Sequence, residues 1–353
     1  MNNSNYFANI TLRRAIAHCL LAAMVGGMVL ASPAAVAESA YAKAKITAPT
    51  TKTLFDPSKV FLGITPTGWV NDDDPTIDDD IGFKQIVSEM ALAGFQGSSV
   101  GHKYPTDTKV LTDELNLRGL KISEPWVGTY YTIKAMDEQT LETFKKQMAF
   151  IKTMGGTDIV VAELGNAVHQ QPVAVLPNKP EFTDAQWKAL LDGLNMLGAL
   201  AEKEGMRLCY HPHVGTGVEK APDIDRLMAG TDPKYVHLLL DTGHLFYAGV
   251  DPLAIATKYA SRIKHVHLKN IRKSVLDSSV ASNSSFLDSI RAGVFTVPGD
   301  SAGAINFKPI LETLAAANYQ GWLVVEAEQD PKKANPLVYA QMARQYLRET
   351  IGF

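Results

Sequence analysis

The feature that most constrains this chain is an alternation. From Val60 almost to the end of its 353 residues, short apolar runs change places with longer helical patterns. The apolar runs fall at 60–65, 97–100, 121–124, 158–163, 207–211, 236–241, 263–269 and 322–326. Helical periodicity fills stretches such as 81–93, 140–154, 183–204 and 307–317, and Gly94, Gly119, Gly155, Gly156 and Gly205 stand where helices should stop. Strands that are apolar throughout, each followed by a helix, describe a parallel sheet covered on both faces. Eight such units over about 290 residues suit a single closed α/β barrel, (β/α)₈, at 59–353. The alternative is an open doubly wound sheet, which would place a Gly-rich phosphate loop after its first strand; none follows 60–65.

The first 37 residues do not share the pattern. Arg13 and Arg14 are the only charged residues before Glu38, an apolar run from Leu20 to Ala31 follows them, and Ala35-Val36-Ala37 closes with small residues at the two positions a signal peptidase reads. This describes a cleavable export signal at 1–37, with a linker at 38–58. The apolar run is short of the ~20 residues a membrane span needs, which argues against an uncleaved anchor and against stable membrane insertion after cleavage. The Arg pair leaves twin-arginine and general secretion both open, and the expected location is the periplasm. Loss of residues 1–37 moves the formal net charge from −3 to −5. With no basic stripe, the mature chain has nothing to offer a nucleic acid. Cys209 is its one cysteine, so the fold rests on its core and not on an internal disulfide.

Barrel enzymes carry their chemistry at the C-terminal ends of the strands. Ionisable residues collect there: Glu163, His211, Asp241, His267 and Glu326, with Lys269 just beyond. The strand period of two puts His265, His267 and Lys269 on one face. A carboxylate at the end of an apolar strand is costly to bury alone, and several around one mouth repel each other without a cation. Asp241, His267 and Glu326 together therefore point to one divalent metal ion, with His211 as fourth ligand and His213 facing substrate, or the converse. Mixed carboxylate and imidazole donors suit manganese, cobalt, iron or zinc, and magnesium is not excluded. Taken singly, Asp241 reads as a helix cap and a strand histidine as a satisfied core group; the joint pattern is what capping does not predict. His265 lies deeper and reads as structural, while Glu328 and His244 can orient ligands. Glu163 reads as a ligand, a general base or a helix-capping acid.

The loop after the first run, Thr67-Gly68-Trp69-Val70-Asn71-Asp72-Asp73-Asp74, lacks the continuation a calcium loop needs. Asn71 and Asp72 suit hydrogen bonds to sugar hydroxyls, with Trp69 as an apolar platform. Lys103, Trp126, His244 and Arg272 complete the expected substrate-binding set. The long connection from about Asn270 to Gly303, rich in serine, is expected to be a mobile lid or a plain surface excursion.

Several runs resemble inosose dehydratase. They are Gly63-Ile64 through Asn71-Asp72-Asp73, Ser88-Glu89-Met90-Ala91-Leu92-Ala93-Gly94-Phe95 and Lys103-Tyr104-Pro105, then His211-Pro212-His213-Val214-Gly215-Thr216, Leu240-Asp241-Thr242-Gly243-His244 and His265-Val266-His267-Leu268-Lys269. The tail adds Ala292 to Asp300 and Val324 to Pro331, so the likeness spans 60 to the C-terminus. The resemblance implies a xylose isomerase-like barrel, with Asp241, His267 and Glu326 at three metal positions of that superfamily and His211 where many relatives carry Glu. It implies dehydration of 2-keto-myo-inositol to a trihydroxycyclohexane-dione, with manganese or cobalt and with glutathione as an additional cofactor. Asn270 and Asn306 depart from the family's usual Asp, and an export signal is unusual for inositol catabolism.

These readings combine into a hydro-lyase. The cation is expected to bind the ketone and an adjacent hydroxyl and to stabilise the enediolate left by α-proton loss. Glu326 or Glu163 is the base, and Lys269 or His213 is the acid at the departing hydroxyl. The rivals are a metal-dependent keto-sugar epimerase or isomerase, a 3-keto-glycoside lyase, and an exported sugar-binding protein without turnover. The expected partner is a small keto-polyol; the oligomeric state is left open.

Overall fold

The structure, a computed structural model, describes residues 53–74, 76–77 and 80–353. The export segment read at 1–37 and most of the linker lie outside the described residues. In chain order the strands are β1 (Val60–Ile64), β2 (Gly97–Ser98), β3 (Lys121–Ile122), β4 (Trp126–Thr129), β5 (Asp158–Glu163), β6 (Arg207–Tyr210), β7 (Val236–Asp241), β8 (Ile263–Leu268), β9 (Asn270–Ile271), β10 (Phe295–Thr296) and β11 (Gly321–Val325). The helices are α1 (Phe83–Ala93), α2 (Thr108–Asn116), α3 (Asp137–Thr153), α4 (Asp184–Lys203), α5 (Ala221–Gly230), α6 (Thr242–Tyr247), α7 (Pro252–Tyr259), α8 (Lys273–Ala281), α9 (Phe286–Arg291), α10 (Phe307–Ala316) and α11 (Pro336–Ile351).

Nine strands form one parallel sheet in the order β3-β2-β1-β11-β8-β7-β6-β5-β4. Its two edges are neighbours in the chain, separated by Ser123-Glu124-Pro125. The backbone between them serves both ladders: Ser123 N–H donates to Ser98 O at 2.9 Å, and Val160 N–H donates to Pro125 O at 3.1 Å. Residues 121–129 are thus one stave kinked at Pro125, which has no N–H to give. That closes a barrel of eight staves, as the alternation requires. The apolar run at 121–124 marks only the first half of this stave.

Alternate residues of each stave face opposite ways. Ile159, Val161, Leu208, Tyr210, Leu238, Leu240, Val266, Leu268, Leu323 and Val325 belong to the large core between barrel and helices. Val160, Cys209 and Leu239 form a separate small cluster inside the barrel. The same inward parity carries on to Asp241, His265, His267 and Glu326. Local signals place the helices: Thr183 and Gln186 make a reciprocal capping box at the start of α4, and Gly94, at φ 90°, ends α1 in the left-handed region. Among the described residues, no helix is long and apolar enough to cross a membrane.

The connection at 270–303 is a folded excursion. β9 and β10 pair antiparallel within it, α8 and α9 lie between them, and Phe286 and Phe295 are fully buried.

Candidate active site

The site begins with Asp241, which ends β7 and starts α6. Its Oδ1 accepts hydrogen bonds from the N–H groups of Gly243 and His244, both at 2.8 Å, so one oxygen is a helix cap. Oδ2 is left facing inward, 3.4 Å from His211 Nε2, 3.7 Å from His267 Nδ1 and 3.6 Å from Lys269 Nζ. Glu326, just past β11, brings Oε2 against His267 Nδ1. The donor atoms of His211, Asp241 and His267 lie within 4.8 Å of one another. Asp241 Oδ2, His211 Nε2, His267 Nδ1 and Glu326 Oε2 are all buried, and none makes a hydrogen bond. A buried polar atom left so costs about 1–3 kcal/mol, and four that face one another, two imidazoles and two carboxylates from four stave ends, fit a divalent cation.

Charge tells the same story. Burial opposes ionisation of Asp241 and Glu326, but the Lys269 ammonium and the nearby imidazoles outweigh it, holding Asp241 well below the usual carboxylate range and Glu326 at about 2. Burial likewise opposes a charge on His267, yet the carboxylates of Glu326 and Asp241 raise it well above an ordinary imidazole. His211 goes the other way, lowered by burial, so it is a neutral donor.

Lys269 is buried completely. Its Nζ lies 2.9 Å from Glu328 Oε1, 3.1 Å from Glu326 Oε1 and 2.8 Å from His244 Nε2, and 4.8 Å above the Phe295 ring. Its stem passes Gly243, where an added Cβ would come within 2.4 Å of Lys269 Cγ. Glu328 is pushed up to about 7 by burial, with Lys269 opposing and Glu326 reinforcing the shift. His213 donates from Nδ1 to Val214 O at 2.8 Å, and its ring packs 3.8 Å from His244. Burial, then the neighbouring His169 and His211, hold His213 well below an ordinary imidazole. The ring is therefore neutral, with its lone pair on Nε2.

Glu124, at the kink between β3 and β4, was missed by the strand-end reading. Its Oε1 lies 3.2 Å from His267 Nε2 and its Oε2 3.3 Å from His265 Nε2. His265 Nδ1 in turn meets Asp158 Oδ2 at 2.9 Å, deep in the barrel, which agrees with its structural role. The signal for Glu124 was available, since it closes the third apolar run as Asp241 and Glu326 close theirs.

A cavity of about 210 Å³ opens over this cluster, lined by Glu124, His211, His213, His267, Glu326 and Glu328 from the barrel and by Asn71, Asp72, Asp73, Trp126, His169 and Gln170 from loops. Asn71 Oδ1 accepts from the N–H groups of Asp73 and Asp74, both at 2.9 Å, leaving a buried Nδ2 without a partner. Asp72 sits at the rim against His102. Trp126 is 42% exposed at the mouth, where the sequence put it. A larger groove of about 830 Å³ runs along the barrel flank between α7, α8 and α10. None of the stave-end residues lines it, and its rim residues Lys273 and Asp277 pair with each other, so chemistry belongs to the smaller cavity.

Five expected residues are placed elsewhere. Trp69 is core, not platform: it is buried and its Nε1–H donates to Glu89 Oε2 on α1 at 2.6 Å. Glu163 has the outward parity of Ile159 and Val161, and its two oxygens accept from Thr129 Oγ1 (2.8 Å), Tyr131 N (3.1 Å), Thr132 N (3.2 Å), Thr132 Oγ1 (2.8 Å) and Gly165 N (3.2 Å). It anchors a loop and is neither ligand nor base. Arg272 staples the excursion through Gly293 O (2.9 Å), Phe295 O (3.1 Å) and Asp300 Oδ2 (2.8 Å). Lys103 is half-buried and outside the cavity lining. His244 also lies behind the lining, where it backs His213 and Lys269, so it orients other groups and does not meet substrate. Lys269 is buried among three carboxylates, which raise its pKa above that of an ordinary lysine despite burial.

A family profile described as xylose isomerase-like TIM barrel matches residues 104–350. An inosose dehydratase of Geobacillus thermodenitrificans is 52% identical over 300 residues, covering 85% of this chain and 100% of that protein. One from Clostridium beijerinckii is 49% identical over 301 residues, with 85% and 100% covered. Among solved structures, the IolI protein with a bound zinc atom superposes with a TM-score of 0.62 at 15% identity, covering 83% of this chain and 98% of that one. At that identity the likeness speaks for the fold alone.

Proposed function

We propose, from the premise that this chain belongs to the inosose dehydratase family of xylose isomerase-like TIM barrels, that it removes water from 2-keto-myo-inositol at the barrel mouth with the help of one divalent cation. Membership makes it a hydro-lyase of keto-polyols; the particular ring, the cation and the residue roles are the proposal. The observation that carries it is the set of four buried, partnerless donor atoms on His211, Asp241, His267 and Glu326.

Those four residues would hold the cation, manganese or cobalt first. When bound, it supplies Lewis-acid polarisation of the ketone and of the hydroxyl beside it. The chain's own groups do the rest. His213, neutral and with its lone pair on Nε2, takes the proton from the carbon next to the ketone. Glu328, whose carboxyl ionises at about 7, gives a proton to the hydroxyl leaving the next carbon. The C–H and C–O bonds break, a C=C bond forms, water departs, and the enol product relaxes to the dione. Lys269 stays charged and fixes Glu326 and Glu328 on either side of the cavity floor.

The test is protein stripped with a chelator and given 2-keto-myo-inositol with and without manganese, cobalt, zinc or magnesium, and with and without reduced glutathione. Ultraviolet absorbance and loss of one water by mass spectrometry should appear only with a divalent ion. Turnover that a chelator leaves intact would sink the reading. Parallel arms with 3-keto-glycosides look for release of an aglycone. The export reading of residues 1–37 is part of the same proposal: protein recovered from the periplasm and beginning after Ala37 supports it, and full-length protein in the cytoplasm overturns it.

A further inference from the structure

The cavity has two kinds of wall. Its floor is the ring of stave-end donors already described, and above it stand side chains from two loops that meet across the mouth. Asp73 comes from the loop after β1, and His169 and Gln170 come from the loop after β5. Gln170 Nε2 donates to Asp73 Oδ1 at 2.9 Å, and His169 Nε2 lies 4.0 Å from the same oxygen. His169 is only 5% exposed, it lines the cavity, and its Nδ1 is buried without any hydrogen-bond partner. Its ring meets His213 edge-on at 5.0 Å, so it stands over the group assigned to proton transfer. Asn71 adds a second partnerless buried donor, Nδ2, to the same wall. Among the described residues, neither His169 nor Asp73 belongs to a candidate metal-holding group, and His169 Nδ1 and Asn71 Nδ2 make no hydrogen bond.

We propose that His169, Asp73 and Asn71 form a recognition wall that reads the hydroxyl groups on the side of the ring remote from the ketone, and so decide which keto-polyol is accepted. The inference rests on the function proposed above and deepens it. A ring whose ketone is directed to the floor presents its far hydroxyls to this wall, where each hydroxyl can both donate and accept. Asn71 Nδ2 donates, Asp73 accepts, and the neutral His169 does one from each nitrogen. A site built so rejects an analogue lacking the hydroxyl, because its own buried groups are then left unpaired.

The experiment is calorimetric binding of two probes, 2-keto-myo-inositol and its analogue lacking the hydroxyl across the ring from the ketone. Each is titrated into metal-free protein, where the parent ring is not turned over. Wild type should bind the parent ring about tenfold or more tightly than the analogue. His169→Phe should weaken the parent by a similar factor, leave the analogue nearly unchanged and so collapse the ratio, while manganese affinity and Tm stay at wild-type values. If His169→Phe fails to fold, Asp73→Asn and Gln170→Ala supply the same ratio, the latter by releasing Asp73. Equal weakening of both probes, an unchanged ratio, or no binding of either ring to wild type overturns the wall. Failure of the dehydratase reading looks different: the binding ratio persists, but no ultraviolet-absorbing product forms.

Discussion

His265 and His267 stand two residues apart on β8 with the same inward parity, yet they serve different kinds of site. Below, His265 lies between Asp158 and Glu124, and Arg207 Nη2 closes on Asp158 Oδ1 at 2.6 Å. Two carboxylates meet two cationic groups, and neither His265 nor Asp158 lines the cavity. Above, His267 faces Asp241 and Glu326, with Glu328 nearby, and Lys269 is the one fixed cation among those carboxylates. Both layers keep polar atoms without hydrogen bonds, Glu124 Oε2 and His265 Nε2 below among them, but the upper one opens onto the cavity. The pair teaches that buried histidine–carboxylate contact is not in itself a sign of chemistry. What separates the layers is access to a ligand.

The largest effect that tests this contrast is at Asp241. Asp241→Asn keeps the oxygen that caps α6 but removes the inward charge, so dehydration should fall on the order of 10³-fold with little change in Tm. Retained activity in a steady-state assay would erase the distinction. Next comes the lower layer. Asp158→Ala strands Arg207 and His265, so it should cost about 3–5 kcal/mol of stability, read in denaturant unfolding. Manganese affinity, measured on the folded fraction, should stay unchanged.

pH separates the layers further, with opposite signs of cause. Without a cation His267 is held above its ordinary value by Glu326 and Asp241, so it keeps a proton that a metal must displace. Cation affinity should therefore rise with pH, about tenfold per unit where one proton is released. Calorimetry in buffers of different ionisation enthalpy counts that proton. Glu124 is depressed to about 2 from an ordinary 4.5, burial being outweighed by His265 and His267. A depressed carboxyl adds stability that is fully present above its unfolded value and is lost as pH falls. The lower layer should thus lower Tm as pH falls between about 5 and 2, and, because Glu124 and Asp158 raise His265 against burial, lower it also as pH rises above about 6.5.

The smallest effect concerns Glu163, the acid that looks catalytic in the sequence and is not. Glu163→Gln should leave kcat/KM within about threefold while lowering stability by roughly 1–2 kcal/mol through its lost backbone contacts. A large kinetic defect at constant Tm would return it to the active site.

Legibility followed the physics of each signal. β5 and β7 matched the expected limits residue for residue, because a stave buried on both faces reads as an unbroken apolar run. The stave-end cluster of His211, Asp241, His267 and Glu326 was legible for the related reason that a charge at the end of such a run demands an explanation. Glu163 satisfied the same rule and misled, yet parity identifies it: counted from Val160 and Cys209, it falls on the outer face. Glu124 closes its run as Asp241 and Glu326 close theirs, so its signal was present; Pro125 splits that stave, and the shortened run drew less weight. Trp69 was read as a platform because loop composition does not show which way an aromatic turns, and here it turns toward α1. His169 gave no signal at all. It sits in an irregular loop whose path is set by contacts with Gly215 and with the first loop, and no periodicity carries that information.

Lys269 has one last consequence. An internal ammonium already offsets part of the negative charge at the mouth, so emptying the site leaves a repulsion the folded barrel can tolerate. Loading and folding are then separate events. The ion found in a preparation should mirror the growth medium and the purification history, and exchange by dialysis should proceed without passing through a denatured chain.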